Sequence, residues 1–402
     1  MAATAPATTA SAGPGGVRVV LVAGETSGDN LGAGLIEALR SRRPGLTFEG
    51  IAGPRMVAAG CTAWASAERL SVMGLFEVLR HIPDMLALRR EVEARTLAGG
   101  AIAFVGIDAA EFNLSLARRL KRHGITTVQY VSPQVWAWRQ GRVDSMGSFL
   151  DLVLCLLPFE KRFYEGRGLS AEFVGHPLAD RLPLKPDRAR ARAALGLEAD
   201  ATVVAILPGS RRAEVERLAI DFIGAAAWLA QARPGVRFVA PMANPIARAV
   251  FEAALARHGA GLAIDITDGH ADRALTAANC ALVASGTATL ETLLCKRPMV
   301  VAYRVSTATY TLVQVLGLIK APFVSQPNLL AGREVVPEFI QRAVTPERLG
   351  TELLHWLDAP ARVAALEAEF LRIHQQLRRG ANERAAEAIL KLIDRALPPG
   401  ER

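Results

Sequence analysis

Long apolar runs are missing from this chain of 402 residues. No stretch reaches the roughly 18 consecutive apolar side chains that a bilayer-crossing helix needs. Residues 1–16, rich in Ala, Thr, Pro and Gly, lack a cationic segment followed by an apolar one, and a disordered tail is expected there. Cysteine is scarce: Cys61, Cys155, Cys280 and Cys295 form no Cys-x-x-Cys pair and sit beside no His cluster, which argues against a zinc site or a disulfide framework and fits a reducing cytoplasm. The dinucleotide fingerprint Gly-x-Gly-x-x-Gly is absent, which removes support for a dehydrogenase. No Asp-x-Asp metal motif occurs, and Asp265 and Asp268 read as loop or cap residues. Basic residues are scattered rather than interleaved with aromatics on one element, so nucleic-acid binding is not expected. No internal repeat appears at a solenoid period.

What is present is apolar and basic. Hydrophobic residues make up 51% of the chain, enough for two cores, and the net charge of +8 implies an anionic partner: a phosphorylated substrate, a nucleic acid or an anionic lipid surface. Short apolar runs at Val17–Ala23, Phe48–Ala52, Ala101–Ile107, Thr126–Val131, Leu150–Leu156 and Ala171–Val174 alternate with helix-length segments. The pattern restarts at Thr202–Leu207, Val236–Ala240, Ala263–Ile266, Cys280–Ala284 and Met299–Tyr303. Alternation of this kind predicts an α/β protein with two doubly wound, mostly parallel sheets. Pro183 and Pro186 in a charged stretch place the boundary near Asp180, giving domains over 17–180 and 181–360. Helical periodicity over 361–402 then predicts helices that cover one of the domains or a partner.

The stretch Ala284–Glu291 organises the functional reading. A buried strand turns through Ser285, Gly286 and Thr287 into a helix, which aims free N–H groups and a positive helix end at one spot suited to a phosphate. Glu291, one helical turn beyond Thr287, is placed to accept hydrogen bonds from ribose hydroxyls. An ordinary helix start, with Ser285 or Thr287 as cap and Glu291 in water, explains the same letters. The same strand–turn–helix arrangement recurs at Pro208–Arg212, where Ser210 precedes Arg211, a residue able to neutralise a diphosphate without a metal ion. A third instance, Gly24–Asp29 with Ser27 and Gly28, follows the first strand, where ligands collect in such sheets.

Asp108 ends a strand in Gly106-Ile107-Asp108 and is the candidate general base of the first half, although Asp is also a common helix cap. Asn328, in Ser325-Gln326-Pro327-Asn328, is placed either to meet a nucleotide or sugar hydroxyl or to serve a turn. His176 reads more readily as a hinge or packing histidine than as an acid or base. The loop Ser132–Arg139, with Trp136 and Trp138, lines a sugar or acyl site or simply packs. Between Val72 and Arg90, the residues Leu75, Phe76, Val78, Leu79, Ile82, Met85 and Leu86 form a wide apolar face rimmed by Arg80, His81, Arg89 and Arg90. That face is either a membrane-surface patch or a broad core helix interrupted at Pro83.

Taken in order, Ala23–Asp29, Ser71–Gly74, Gly106–Asp108, Val135–Arg139, Leu157–Glu160, Val174–Asp180, Leu207–Arg211, Ser285–Ala288 and Pro327–Ala331 resemble lipid-A-disaccharide synthases. The resemblance covers Val17 to about Gln341 and implies a GT-B glycosyltransferase with two Rossmann-like domains facing a cleft. It also implies the reaction: an acylated glucosamine passes from UDP-2,3-diacylglucosamine to 2,3-diacylglucosamine 1-phosphate, giving the β-1′,6-linked lipid A disaccharide phosphate and UDP, with inversion. By the family pattern Asp108, Arg211, Glu291 and Asn328 matter for activity. Ala110 and Glu111 stand where Pro-Asp is usual, Gln134 and Gln326 also depart from the pattern, and Thr26 replaces a typical Ala. No cofactor and no metal are implied. The implied setting is the cytoplasmic face of the inner membrane of a Gram-negative bacterium, against anionic lipid, with a homodimer left open. The rivals are a UDP-N-acetylglucosamine 2-epimerase, which shares the two-domain plan, and a non-catalytic peripheral lipid-binding protein.

Overall fold

Runs of Val, Ile, Leu and Ala bury both faces of the central strands, as a parallel sheet covered on each side requires. The computed structural model describes residues 16–71, 75–133, 142–306 and 322–397. The first sheet contains β1 (Val17–Ala23), β2 (Leu46–Ala52), β3 (Cys61–Ser66), β4 (Ala103–Ile107), β5 (Thr126–Tyr130), β6 (Leu152–Cys155) and β7 (Ala171–Phe173). The second contains β8 (Val203–Leu207), β9 (Arg237–Met242), β10 (Ile264–Asp268), β11 (Cys280–Ala284), β12 (Met299–Tyr303) and β13 (Glu338–Ile340). All pairings are parallel, in the orders β3-β2-β1-β4-β5-β6-β7 and β10-β9-β8-β11-β12-β13. The strands β3 and β13 escape the periodicity argument because they are edges: neither has the unbroken apolar run of a central strand, and β13 is three residues long.

Helices cover both faces of each sheet. On one face of the first sheet, Leu35, Ile36 and Leu39 of helix Glu25–Arg42 pack with Ile389 and Ile393 of helix Ala381–Ala396. On the other, helix Leu75–Ala98 contributes Leu88 and Val92, and helix Ala110–Lys121 contributes Phe112, Leu116 and Leu120. The second sheet carries a single core around Phe222, Phe251, Leu290, Trp356 and Phe370.

The two C-terminal helices part company. Helix Pro360–Leu377 buries Leu366, Phe370, Ile373 and Leu377 in the second core, whereas the last helix returns to the first sheet. The return is stitched to the first crossing between the domains: the Asp180 carboxylate accepts from the N–H groups of Gly380 and Ala381 at 2.9 and 2.6 Å, and His176 N–H donates to the Leu377 carbonyl at 2.9 Å. Gly380 takes φ +68 at this turn, a conformation that favours glycine.

Candidate active site

In an open parallel sheet, ligands collect where the strand order reverses, because the loops leaving the two adjacent strands diverge to opposite faces. The first sheet reverses between β1 and β4, since β2 and β4 flank β1 on its two sides. Gly24 and Glu25 leave β1 there, and Asp108 leaves β4. The second reverses between β8 and β11, from which the Arg211 turn and the Ser285–Thr287 turn depart. These turns carry most of the polar residues expected from sequence.

Asp108 is held in a strained conformation. Its φ is +54 and that of Ala109 is +38, a region that side-chain-bearing residues avoid unless the surroundings impose it. The imposing groups are Asn113 and Gln129, whose amide nitrogens donate to the Asp108 carbonyl at 2.9 and 3.0 Å, while Asp108 N–H donates to the Tyr130 carbonyl at 2.9 Å. A Cβ on Gly106 would lie 2.7 Å from the Cβ of Asn113, so glycine is required in Gly-Ile-Asp for that clamp to close. Burial raises the Asp108 carboxyl above the ordinary carboxylate range, and neighbouring Glu25 raises it further; the Ala109 N–H and Arg211 act in the opposite direction. The clamp residues were not assigned from sequence, since their partner is a backbone atom.

Arg211 reaches across the cleft. Its guanidinium Nη2 donates to both carboxylate oxygens of Glu25 at 2.8 and 2.7 Å, and its Nη1 donates to Glu214 at 3.0 Å. Glu25 is itself a non-glycine residue with φ +62. The other Glu214 oxygen accepts from the N–H groups of Ser210 and Arg211 at 3.2 and 3.3 Å. Gly209 permits this, since a Cβ there would meet that of Glu214 at 2.7 Å. In the structure a carboxylate of the same helix takes the N–H groups at the Ser210 helix start, where a phosphate contact is expected from sequence. Arg211 remains the cationic group of this turn.

At the β11 turn the capping explanation fails. Ser285 Oγ donates to the Val324 carbonyl at 2.7 Å, and helix Thr287–Leu294 has no side-chain cap. Gly286, at φ +145, makes the turn, and Gly286 and Thr287 are exposed. Glu291 is half-buried and its carboxylate makes no hydrogen bond among the described residues; burial and Asp272 raise its carboxyl, and Arg181 opposes them. An uncapped helix start with an unengaged carboxylate one turn away is suited to a phosphate and a ribose diol.

One expected contact is corrected. Asn328 is fully buried and its amide is spent on the fold: Nδ2 donates to the Val336 carbonyl at 2.9 Å and to Glu338 at 2.8 Å, and Oδ1 accepts from Val335 N–H at 2.7 Å and Val336 N–H at 3.0 Å. It pins helix Gln326–Ala331 to β13 instead of reaching a hydroxyl. Replacing it by Ala strands buried donors and acceptors, with an expected loss of about 2–4 kcal/mol in stability. Urea or thermal unfolding followed by circular dichroism checks this; an unchanged midpoint would remove the pinning role. Gly28 is buried, and a Cβ there would stand 3.4 Å from that of Ala23, an ordinary van der Waals contact, while Ser27 beside it is half-buried. On the same helix Asp29, buried, accepts from Arg55 and Met56 N–H at 3.0 and 2.9 Å and so caps the next helix.

A family model described as lipid-A-disaccharide synthetase matches residues 19–392. The chain belongs to that family. A lipid-A-disaccharide synthase from Alkalilimnicola ehrlichii is 52% identical over 93% of this chain and 98% of its own length. Among solved structures, a glycotransferase of kitacinnamycin superposes with TM-score 0.61 at 16% identity, covering 94% of this chain and 100% of that one. The UDP-GlcNAc 2-epimerase from Neisseria meningitidis, solved bound to UDP-GlcNAc, gives TM-score 0.62 at 10% identity, covering 93% of this chain and 100% of its own. At such identities the structures speak for the GT-B fold alone, and the family match decides between synthase and epimerase. As a lipid-A-disaccharide synthetase family member the chain is a glycosyltransferase of lipid A biosynthesis, acting on a UDP-sugar donor and a glycosyl acceptor.

The remaining residues find plain roles. His176 caps helix Pro177–Arg181, its Nδ1 accepting from Leu178 N–H at 3.1 Å, and burial pushes it down to about 4, so it is neutral at physiological pH. Residues 134–141, with Trp136 and Trp138, lie outside the described residues, as do the side chains of Leu75, Phe76, Val78, Leu79 and Ile82. Of the apolar face, Leu86 is 38% exposed, whereas Met85 packs on the core against the first sheet. Among the described residues no helix is long and apolar enough to cross a membrane.

Proposed function

We propose that the cleft joins UDP-2,3-diacylglucosamine to the 6-hydroxyl of 2,3-diacylglucosamine 1-phosphate, releasing UDP and the β-1′,6-linked disaccharide phosphate with inversion at the anomeric carbon. One observation carries this reading: a strained, partly buried carboxylate on one lobe lies within electrostatic reach of an arginine on the other, at the facing switch points of both sheets. Asp108 takes the acceptor's 6-hydroxyl proton as that oxygen attacks the anomeric carbon from the face opposite UDP. The glycosidic bond forms as the bond to the diphosphate breaks. Arg211 and the uncapped start of helix Thr287–Leu294 meet the charge that develops on the departing UDP, without calling on a metal ion. Glu291 holds the ribose. Mixing both acylated substrates with the enzyme and following UDP release tests the reaction; UDP release that ignores the acceptor would sink it.

The acyl chains require a membrane visit, since each buried CH₂ is worth about 0.8 kcal/mol. Helix Leu75–Ala98, at 24 residues, is about 36 Å long, about twice the span of its 12-residue neighbour Ala110–Lys121. Arg89 stacks on Phe112 and Glu93 pairs with Arg119, so the two helices run side by side in one direction. The turns before Arg89 therefore extend past the carboxyl edge of the sheet, beside the cleft. The sequence of this overhang includes Leu75, Phe76, Val78, Leu79 and Ile82. Replacing Phe76, Leu79 and Ile82 by Ser is expected to weaken association with vesicles severalfold or more while the unfolding transition is kept. Undiminished flotation with vesicles would discard the patch.

A further inference from the structure

Immediately behind that overhang, away from the cleft residues, a cavity of about 550 Å³ opens between helices Leu75–Ala98, Ala110–Lys121 and Arg142–Met146. Five guanidinium groups line it: Arg89, Arg118, Arg119, Arg122 and Arg142. Two carboxylates engage two of them. Glu93 accepts from Arg119 at 3.0 Å, and Glu111 accepts from Arg142 at 2.6 and 3.1 Å. None of the other three donates a hydrogen bond to a carboxylate among the described residues, although Glu111 acts on Arg89 at longer range, and Arg89 Nε is buried with no hydrogen-bond partner among them. Arg89 lies over the Phe112 ring at 5.0 Å and Arg118 over the Phe149 ring at 4.6 Å, so aromatic faces fix both guanidinium groups. Burial and neighbouring Arg119 both push Arg89 below the ordinary arginine range, and the Glu111 carboxylate opposes them only in part. Crowding like charges is costly unless an anion joins them. Pre-oriented guanidinium forks match phosphate oxygens.

We infer that this cavity is a binding site for the phosphate of an anionic lipid headgroup. The spacing argues for a lipid over a free phosphate. Arg89 follows exposed Leu86 by three residues on the same helix, about 5 Å along its axis, the offset between an inserted apolar turn and the phosphate layer above it. The site lies outside the catalytic cleft, so it orients the enzyme on its membrane and takes no part in sugar transfer. The inference rests on the membrane-visiting reading given above.

The test uses the full chain with vesicles of phosphatidylcholine alone or with phosphatidylglycerol added. The variants are the double substitution Arg118→Gln/Arg122→Gln, at two exposed side chains, and its charge-keeping counterpart Arg118→Lys/Arg122→Lys. The wild type is expected to bind the anionic vesicles more tightly than the neutral ones. The Gln variant should lose about 10- to 30-fold of that affinity, the Lys variant, which keeps the charge without the fork, should recover only part of it, and turnover on detergent-dispersed substrates should be unchanged in both. If wild type and Gln variant bind both vesicle types alike, the membrane reading stands and the headgroup site falls. If the wild type binds neither, both fall. Saturable binding of glycerol 3-phosphate that the Gln variant loses, without any preference for anionic vesicles, would assign the cavity to a soluble phosphate and overturn the lipid assignment.

Discussion

Asp108→Asn is expected to lower turnover by about 10²–10⁴-fold while leaving the affinity for UDP nearly unchanged, because the amide keeps the shape of the carboxylate and loses its capacity to accept the proton. The conformation that presents the residue depends on its main-chain carbonyl, which Asn113 and Gln129 hold, so the substitution spares the clamp. The pH profile gives a second, independent readout. Burial and Glu25 raise the Asp108 carboxyl, and the base works only when ionised, so kcat/KM should fall with acid through a pKa above the ordinary carboxylate range. Removing the negative charge in Glu25→Gln should move that acidic limb to lower pH. Full turnover in Asp108→Asn, or an acidic limb indifferent to Glu25, would take the base role away from Asp108.

The position of Asp108 was legible because strand ends are. An apolar run of five residues closing on Gly-Ile-Asp places a carboxylate at the carboxyl edge of a sheet, and the alternation of runs names the fold. Residues acting across long separations were not legible. Glu25 and Arg211 are 186 positions apart, and no local pattern announces their pairing. Asn328 shows the same limit from the other side: Pro-Asn is equally a ligand contact or a turn, and what decides is Glu338, on an edge strand of three residues too short to show periodicity. The last helix advertises an apolar face through Ile389 and Ile393, yet periodicity cannot say which sheet receives it. That answer depends on the Asp180 contacts at the crossing, which only the assembled fold reveals.

Arg211→Ala should lower kcat/KM by about 10²–10³-fold, the typical cost of deleting one donor that meets charge developing in a transition state. In the structure this guanidinium is not idle: Glu25 and Glu214 both hold it, and a diphosphate must compete with Glu25 for it. The pair is more than one-third exposed on both sides, so solvent screening limits it to about 1 kcal/mol or less, a contact that a doubly charged diphosphate displaces readily. Glu25→Gln should therefore tighten UDP binding by up to about fivefold, the reverse of the Arg211→Ala effect, and calorimetric titration with UDP would read both. Arg211→Lys should recover only part of the loss, since an ammonium cannot reproduce the two-pronged contact. The exchange also couples the two lobes. When the diphosphate takes Arg211 from Glu25, Asp108 keeps a carboxylate neighbour whose charge is no longer paired, which favours proton uptake by the base at the moment the donor is in place. If Arg211→Ala released UDP from the acylated substrates at the wild-type rate, neither the clamp on the leaving group nor this coupling would survive.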